Sequence, residues 1–347
     1  MEKQYFHRVH ELSPTRLWIN NPTPDEARKS IAAGAINCTT NPTYSIKMIN
    51  DEVTKGDALK IIKDAIIETG DDPEAADLVQ QNLVKHLLDI FLPLYEKNPG
   101  KEGFVSIQGN PFADQDANHI IDEALRYRRL GENFIAKIPV TKAGITALEA
   151  LIPENIPMIA TEVMAIPQAI AVCEMYQQIS KKCKKNPPFF LTHITGIFDD
   201  HMKNVVARDN IDIASDILWQ AGCIVARKQY KIFKGRNYPG IMLGGGARGL
   251  HHFTEMVGSE MHITINWKGT ADKMIEMNPP VVYRIDTSAP QYAIDELLEK
   301  IPDFRKAYLE DNLSIDEFED YGPVVLFRNA FKKGWGDLEQ EIAKHRK

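Results

Sequence analysis

The sequence predicts an α/β fold, a single (β/α)8 TIM barrel, on three observations. Short apolar runs alternate with helical patterns along most of the 347 residues, an order that favours a parallel sheet and, at this length, its closure into a barrel. Six of those runs end at or near the inward parity in a polar residue: Asn20, Asn41, Gln108, Lys137, Thr161 and Thr192. A barrel interior is normally packed with branched apolar side chains, so polar residues gathered at one rim mark a site. The hydrophobic content of 44% is enough to fill such a core.

Leu17 to Asn20 is the first strand, and Pro24 to Ala33 the helix after it, stopped by Gly34. Ile36 to Thr40 is the second strand and runs into Thr39-Thr40-Asn41-Pro42. From 43 to 98 the pattern is helical, with a break at Thr69-Gly70-Asp71-Asp72-Pro73. That is longer than a barrel connection needs and reads as an insertion packed on the barrel. Phe104 to Gln108 is the third strand, followed by a helix from Gln115 to Leu130.

Phe134 to Ile138 is the fourth strand, and Pro139, with no N–H to donate, is expected to end its ladder. Thr141 then N-caps a helix carrying Ile145, Leu148 and Leu151 at helical spacing. Pro157 to Val163 is the fifth strand, with a helix from Pro167 to Lys182. The basic tract Lys181-Lys-Cys-Lys-Lys185 reads as a solvated helix end, where cations complement the dipole. Pro188 to Thr192 is the sixth strand, Ile211 to Lys234 one long helix, Gly240 to Leu243 the seventh strand and His262 to Asn266 the eighth. The barrel domain is expected to span 1–288, with 289–347 as C-terminal helices packed on it.

Alternation sends Ile135 and Lys137 to one face of the fourth strand and Phe134, Ala136 and Ile138 to the other. Lys137 therefore sits at the C-terminal tip of a barrel strand, the end that carries the chemistry. An exposed lysine is a free amine only about once in 10³ molecules at neutral pH. Burial disfavours the charged form and makes the amine a usable nucleophile for a carbonyl. A lysine near a strand end is more often simply solvated or paired, so the other rim residues carry much of this reading.

After the seventh strand comes Gly244-Gly-Gly-Ala-Arg248-Gly249, opening a helix. Backbone N–H groups, a helix N-terminus and an arginine fork together suit an anion, and barrels frequently hold phosphate after strands seven and eight. A tight turn with a surface arginine is the plainer reading. Histidines offer a rival site: His193, His201, His251, His252 and His262, with Asp199 and Asp200, fall near the ends of strands six to eight. None has a recognised ligand spacing, and His251 and His252 on a helix should point in different directions, so no metal is expected.

The net charge of -7 argues against a broad nucleic-acid footprint. Cys38, Cys173, Cys183 and Cys223 are scattered, with neither metal spacing nor a disulfide framework, which suits a reducing compartment. The N-terminal Met-Glu-Lys-Gln-Tyr-Phe-His-Arg has no apolar core of a leader, and no apolar run is long enough to span a bilayer. A cytoplasmic protein without a membrane partner is expected.

Thr39-Thr-Asn-Pro42, the Lys-Ile-Pro-Val-Thr segment opening at Lys137, Gln168-Ala169 and the Arg248 loop occur in the order seen in transaldolases, and from about Thr15 to Trp267 the chain resembles that family. Tyr308-Leu-Glu-Asp-Asn-Leu-Ser and Phe318-Glu-Asp-Tyr-Gly-Pro323 are similar to the tail of a longer transaldolase-like subgroup. The resemblance implies a class I aldolase barrel of carbohydrate metabolism, as in the pentose phosphate pathway. Its fourth-strand lysine forms a Schiff base with a ketose phosphate and passes a dihydroxyacetone unit to an aldose phosphate, without a cofactor. It implies that Lys137 is the Schiff-base lysine, that Asn41 and Thr192 contact the three-carbon unit, that Thr161 places a water and that Arg248 binds phosphate. A homo-oligomer is implied only by analogy.

Departures from the family pattern are as informative. Asn20 stands where transaldolases carry an aspartate, and Gln108 where they carry a glutamate; an amide holds a hydroxyl or a water but exchanges no proton at neutral pH. Each change could remove a large part of the roughly 10² to 10⁴ that a general acid or base contributes. Ile159 replaces an asparagine, Ile197 the second phosphate arginine and Gly246 a serine, while Ile194 stands where fructose-6-phosphate aldolases use a tyrosine. Lys203 or Arg208 could assist Arg248. Together these departures imply a changed substrate or a homologue that binds a sugar without turning it over. Glu162 and His193, which could replace the missing acids, both have outward parity by this strand reading.

Overall fold

A computed structural model describes residues 3–346. Met1 and Glu2, the first residues of the segment read as lacking a leader, and Lys347 at the end of the C-terminal unit, lie outside the described residues. Eight parallel strands close into a barrel in sequence order: β1 (Arg16–Asn20), β2 (Ala35–Thr39), β3 (Val105–Ile107), β4 (Phe134–Pro139), β5 (Met158–Thr161), β6 (Phe189–Ile194), β7 (Ile241–Gly245) and β8 (His262–Ile265). β1 pairs with both β2 and β8, which closes the ring and leaves no free edge.

Trp18, Phe104, Ile135, Ile159, Phe190 and Leu243 form a separate apolar cluster inside the ring. Trp18 and Phe190 meet edge to face at 4.8 Å, and the Trp18 indole N–H donates to His262 Nδ1 at 2.9 Å. This layer is a solid floor. Four of its members stand two residues before Asn20, Lys137, Thr161 and Thr192, so the period of two lifts those polar side chains onto the same inward face, above the floor.

β4 includes Pro139, which pairs with Thr161, and Val140 N–H still reaches Thr161 O at 2.8 Å. Proline was expected to end the ladder and does not. N–H groups at 136 and 140 point to β5, so the one missing at 139 faces β3, whose pairing stops at Ile107 opposite Ala136.

Helix α1 (Tyr5–Leu12) lies against the barrel, with His10 Nε2 accepting the Leu17 N–H at 3.2 Å; the sequence reading left it unassigned. α2 (Pro24–Ala32) begins with a capping box on Thr23 and Glu26. The stretch after β2 folds as α3 (Tyr44–Asn50), α4 (Lys55–Glu68) and α5 (Asp72–Lys97), broken near Asp71, which caps α5. α6 (Ala117–Tyr127), α7 (Lys142–Leu151) and α8 (Ile166–Cys183) follow as barrel helices.

The expected long helix from Ile211 to Lys234 is not formed. α9 (Thr195–Asp209) starts directly after β6 and ends where Asn210 turns left-handed at φ 55°. Ser215–Leu218 then makes α10, one short turn, before α11 (Ala221–Gly235). The expected helix began after Asn210; within its span the backbone turns helical only at Ser215 and breaks at Trp219 and Gln220, while α9 was not foreseen. His251–Thr254 (α12) is a single turn, and Asp272–Met277 (α13) follows β8. The C-terminal segment forms α14 (Gln291–Lys300), α15 (Pro302–Tyr308) and α16 (Gly322–Arg346). α16 packs on α3, α4, α5 and α9 and so crosses the rim at which the polar residues stand. No helix among the described residues is long and apolar enough to cross a membrane.

Candidate active site

Between the rim and α16 is a cavity of about 580 Å³ whose wall includes Asn20, Asn41, Lys137, Thr161, Thr192, Gly246 and Arg248. Lys137 is 8% exposed, and its ammonium donates to Thr40 O at 3.2 Å. Phe331 of α16 lies above it, ring centroid 5.8 Å from Nζ. Burial lowers the pKa of Lys137 from 10.5 to about 8, against the opposing pull of Glu162. The hydroxyls of Thr161 and Thr192, on the same cavity wall, are buried without a hydrogen-bond partner among the described residues. Such atoms are costly unless something accepts or donates to them, and a ligand hydroxyl would.

Asn20 is held at both ends, its Nδ2 donating to Asn266 Oδ1 at 2.9 Å and its Oδ1 accepting from Thr39 Oγ1 at 3.0 Å, which leaves one N–H and one lone pair for a ligand. Asn41 Oδ1 accepts from Asn21 Nδ2 and from both the backbone and the hydroxyl of Thr43. Its amide orientation is therefore fixed, and Nδ2 makes no hydrogen bond among the described residues.

Gln108 alone of the expected set is not on the cavity wall. It is buried behind Lys137, anchored through its backbone carbonyl to Gln80 Nε2 of α5 at 2.7 Å, and its own Nε2 donates to Glu162 Oε1 at 2.9 Å. Glu162 was expected to face outward and does not. Strand β5 stops at Thr161, and Glu162 takes a left-handed conformation at φ 60°, which breaks the alternation and turns its carboxyl inward. Gln168, at the start of α8, holds that turn by donating to the carbonyls of Glu162 and Val140 while accepting the N–H groups of Met164 and Ala165. Burial, and then the neighbouring Asp114, raises the Glu162 pKa from 4.5 to about 7. Positive φ in a non-glycine residue is the only signal that could have found it, and that is a property of structure.

The loop after β7 also differs from expectation. The N–H groups of Arg248 and Gly249 do not face the cavity but donate to His252 Nδ1, at 2.9 and 3.3 Å. His252 Nε2 in turn meets the buried Asp199 carboxylate at 2.8 Å. With one turn of helix behind it, the loop has no helix dipole to offer an anion. Half-exposed Arg248 is paired with Asp200 at 2.6 Å. Of the suggested helpers, Lys203 shares a neighbouring recess with Arg248 and Asp200, whereas Arg208 is paired with Asp209. Lys47 and Lys268 also line the cavity and were not foreseen.

His251 and His252 do not diverge: their rings are 3.9 Å apart, and with Cys223 they form a compact group. Both ring nitrogens of His252 are already hydrogen-bonded and His251 stacks on Trp219, so the group does not present three free ligands. His193, His201 and His262 are tied to Gln229, Asp303 and Trp18 respectively.

A family model described as transaldolase/fructose-6-phosphate aldolase matches residues 17–333. Among curated proteins, the chain is 25% identical over 213 residues to a transaldolase of Neisseria meningitidis serogroup C / serotype 2a, covering 55% of this chain and 60% of that one. It is 27% identical over 245 residues to a transaldolase of Trichodesmium erythraeum, 62% of each chain, and 24% identical over 239 residues to one of Mycolicibacterium smegmatis, 65% of this chain and 61% of the other. The matched stretch thus spans about 60% of these relatives.

Proposed function

The chain belongs to the transaldolase/fructose-6-phosphate aldolase family, and on that premise we propose that it cleaves and transfers a dihydroxyacetone unit from a ketose or ketose phosphate through a Schiff base on Lys137. The observation that carries the reading is Lys137 itself, at the closed end of the cavity with its pKa lowered to about 8. Its amine attacks the ketose carbonyl and water leaves. The β-hydroxyl of the sugar then gives its proton to the water that Thr161 holds and becomes an aldehyde as the Cα–Cβ bond breaks. The bonding pair passes to the iminium to leave an enamine, and the enamine carbon adds to an acceptor aldehyde by the reverse of this step. The Asn41 Nδ2 and the Thr192 hydroxyl hold hydroxyls of the three-carbon unit, and Thr161 holds a water. Asn20 orients a sugar hydroxyl without taking its proton. Gly246 leaves room at the far end, where Arg248 exchanges Asp200 for a phosphate. No cofactor, metal or nucleic acid enters this reading. The proposed setting is the cytoplasm, on the strength of four free cysteines, and self-association is proposed only by analogy with the family. The C-terminal helices from 289 onward are proposed to act as a unit that covers the barrel.

Incubation with dihydroxyacetone or fructose 6-phosphate and borohydride should add one sugar mass to the wild type and none to Lys137→Ala. Equal labelling of both proteins would remove the lysine from this role.

One observation favours a second reading, a protein that binds a sugar without turnover. Both ends of the Asn20 amide are tied to Asn266 and Thr39, so nothing at that position can shuttle a proton. Stabilisation by a sugar phosphate with no measurable cleavage would select it.

A further inference from the structure

Behind Lys137 is a closed group that no expected role uses. Glu162 is 1% exposed, and one of its oxygens accepts from Gln108 while the other, Oε2, is buried without a partner among the described residues. Gln108 Oε1 is likewise unpartnered. A carboxyl placed only to brace the turn would have both oxygens satisfied, and here the bracing is done by Gln168 through the Glu162 carbonyl instead. The backbone accepts a left-handed residue at this point, and the outcome is a buried carboxyl, with Asp114 near it, held on Gln108, which follows Ile107 as Lys137 follows its strand partner Ala136.

We propose that Glu162 is the acid–base partner of Lys137, with Gln108 as the positioning residue that holds its carboxyl. This inference rests on the Schiff-base reading of Lys137. The two groups are not hydrogen-bonded to each other, so the Lys137 ammonium gives a proton to the Glu162 carboxylate through one bridging water, leaving a free amine and a neutral carboxyl. The amine nitrogen adds to the ketone carbon to form a carbinolamine. The nitrogen lone pair then forms the C=N bond as the C–O bond breaks, and the hydroxyl leaves as water with the proton that Glu162 had taken, returned through the same bridging water because Glu162 is not on the cavity wall. Glu162 is ionised again and compensates the cationic iminium. Lysine ammonium, carboxylate and ketone thus become iminium, carboxylate and one water. Asn20 and Gln108 need supply no proton.

The groups facing Glu162 are Asp114 from the loop after β3, Gln108 beyond the end of β3, Lys137 on β4 and Arg328 on α16. Asp114 and burial favour the neutral acid, whereas Gln108, Lys137 and Arg328 favour the carboxylate. The balance leaves Glu162 near 7 and Lys137 near 8, close enough for a proton to pass between them at neutral pH.

The test uses the full chain with Glu162→Gln and Glu162→Asp. Melting at pH 4.5, where Glu162 is neutral, checks that the near-isosteric glutamine variant folds. Competitive acetylation of Lys137 by trace acetic anhydride, followed across pH by mass spectrometry with no sugar present, reads the lysine's titration directly. Losing the carboxylate should move that midpoint to lower pH in Glu162→Gln; an unmoved midpoint overturns the proposal. Borohydride trapping with dihydroxyacetone should then slow by about 10²-fold in Glu162→Gln, although more of its lysine is free amine, and recover in part in Glu162→Asp. A bystander that merely packs would not move the two readouts in opposite directions, and trapping at the wild-type rate also overturns the proposal. If the wild type traps no sugar, the Schiff-base reading fails, and the acetylation midpoint still decides by itself whether Glu162 titrates with Lys137.

Discussion

Two buried groups of opposite formal charge, Lys137 on the cavity wall and Glu162 behind that wall, are each pushed toward neutrality by the loss of water. The Glu162 pKa is raised from 4.5 to about 7, so the folded protein binds more protons than the unfolded chain across that window. Stability from this group is complete below 4.5 and lost as pH rises through 7. The Lys137 pKa is lowered from 10.5 to about 8, and its contribution runs the other way, with stability regained from 8 towards 10.5. Glu162→Gln should therefore melt above the wild type at pH 8 and alongside it at pH 4.5; a constant offset at both values would contradict the assigned shift. At this scale the period of two suffices to read Asn20, Lys137, Thr161 and Thr192 onto one face. It fails at Glu162 because alternation assumes extended backbone, and one left-handed residue reverses the side chain.

Gly246 shows how neighbouring elements constrain one another. Its φ is +63°, and a Cβ there would lie 2.6 Å from Ile194 Cγ2 at the end of β6 and 3.1 Å from Ile197 on α9. The three departures at 194, 197 and 246 are therefore one steric arrangement: the isoleucines fill the space a side chain at 246 would need. Gly246→Ser alone should destabilise by about 1–3 kcal/mol, and Ile194→Ala in the same chain should return part of that by chemical denaturation. α16 is the other element that defines the cavity. Phe331 is buried over Lys137 and packs on Phe327 at 4.2 Å. Phe331→Ala should cost about 3–5 kcal/mol and, by admitting water, move the Lys137 acetylation midpoint to higher pH. The helical character of the tail is legible in its sequence, but its course over the rim is not, since periodicity gives a helix an apolar face without saying what that face meets. The helix expected from Ile211 was drawn too long for a local reason: 211–214 are not helical and the chain breaks again at Trp219 and Gln220, with no glycine or proline in 211–220 to signal it.

For the molecule as a whole, strand order, closure and the end that carries the polar residues all follow from alternation and length, because a parallel sheet has few ways to bury both faces. The packing of helices around it depends on contacts distant in sequence. Cysteine reactivity offers a global check: Cys38, Cys173 and Cys223 are buried with thiol pKa values pushed up by loss of water, and Cys183 is partly exposed. A thiol reagent should modify Cys183 first in the native chain and all four after denaturation. Rapid labelling of all four without denaturant would mean that the barrel and its helical layer do not pack as described.

The order of elements along the chain also sets an order in time. All eight strands precede residue 266, whereas the aromatic cover over Lys137 comes from Phe327 and Phe331. At roughly 5–20 residues per second of synthesis, several seconds separate the last strand from its cover. During that interval the emerging polypeptide lacks this cover over Lys137. The burial that lowers the Lys137 pKa includes Phe331, so it is complete only when the final helix settles.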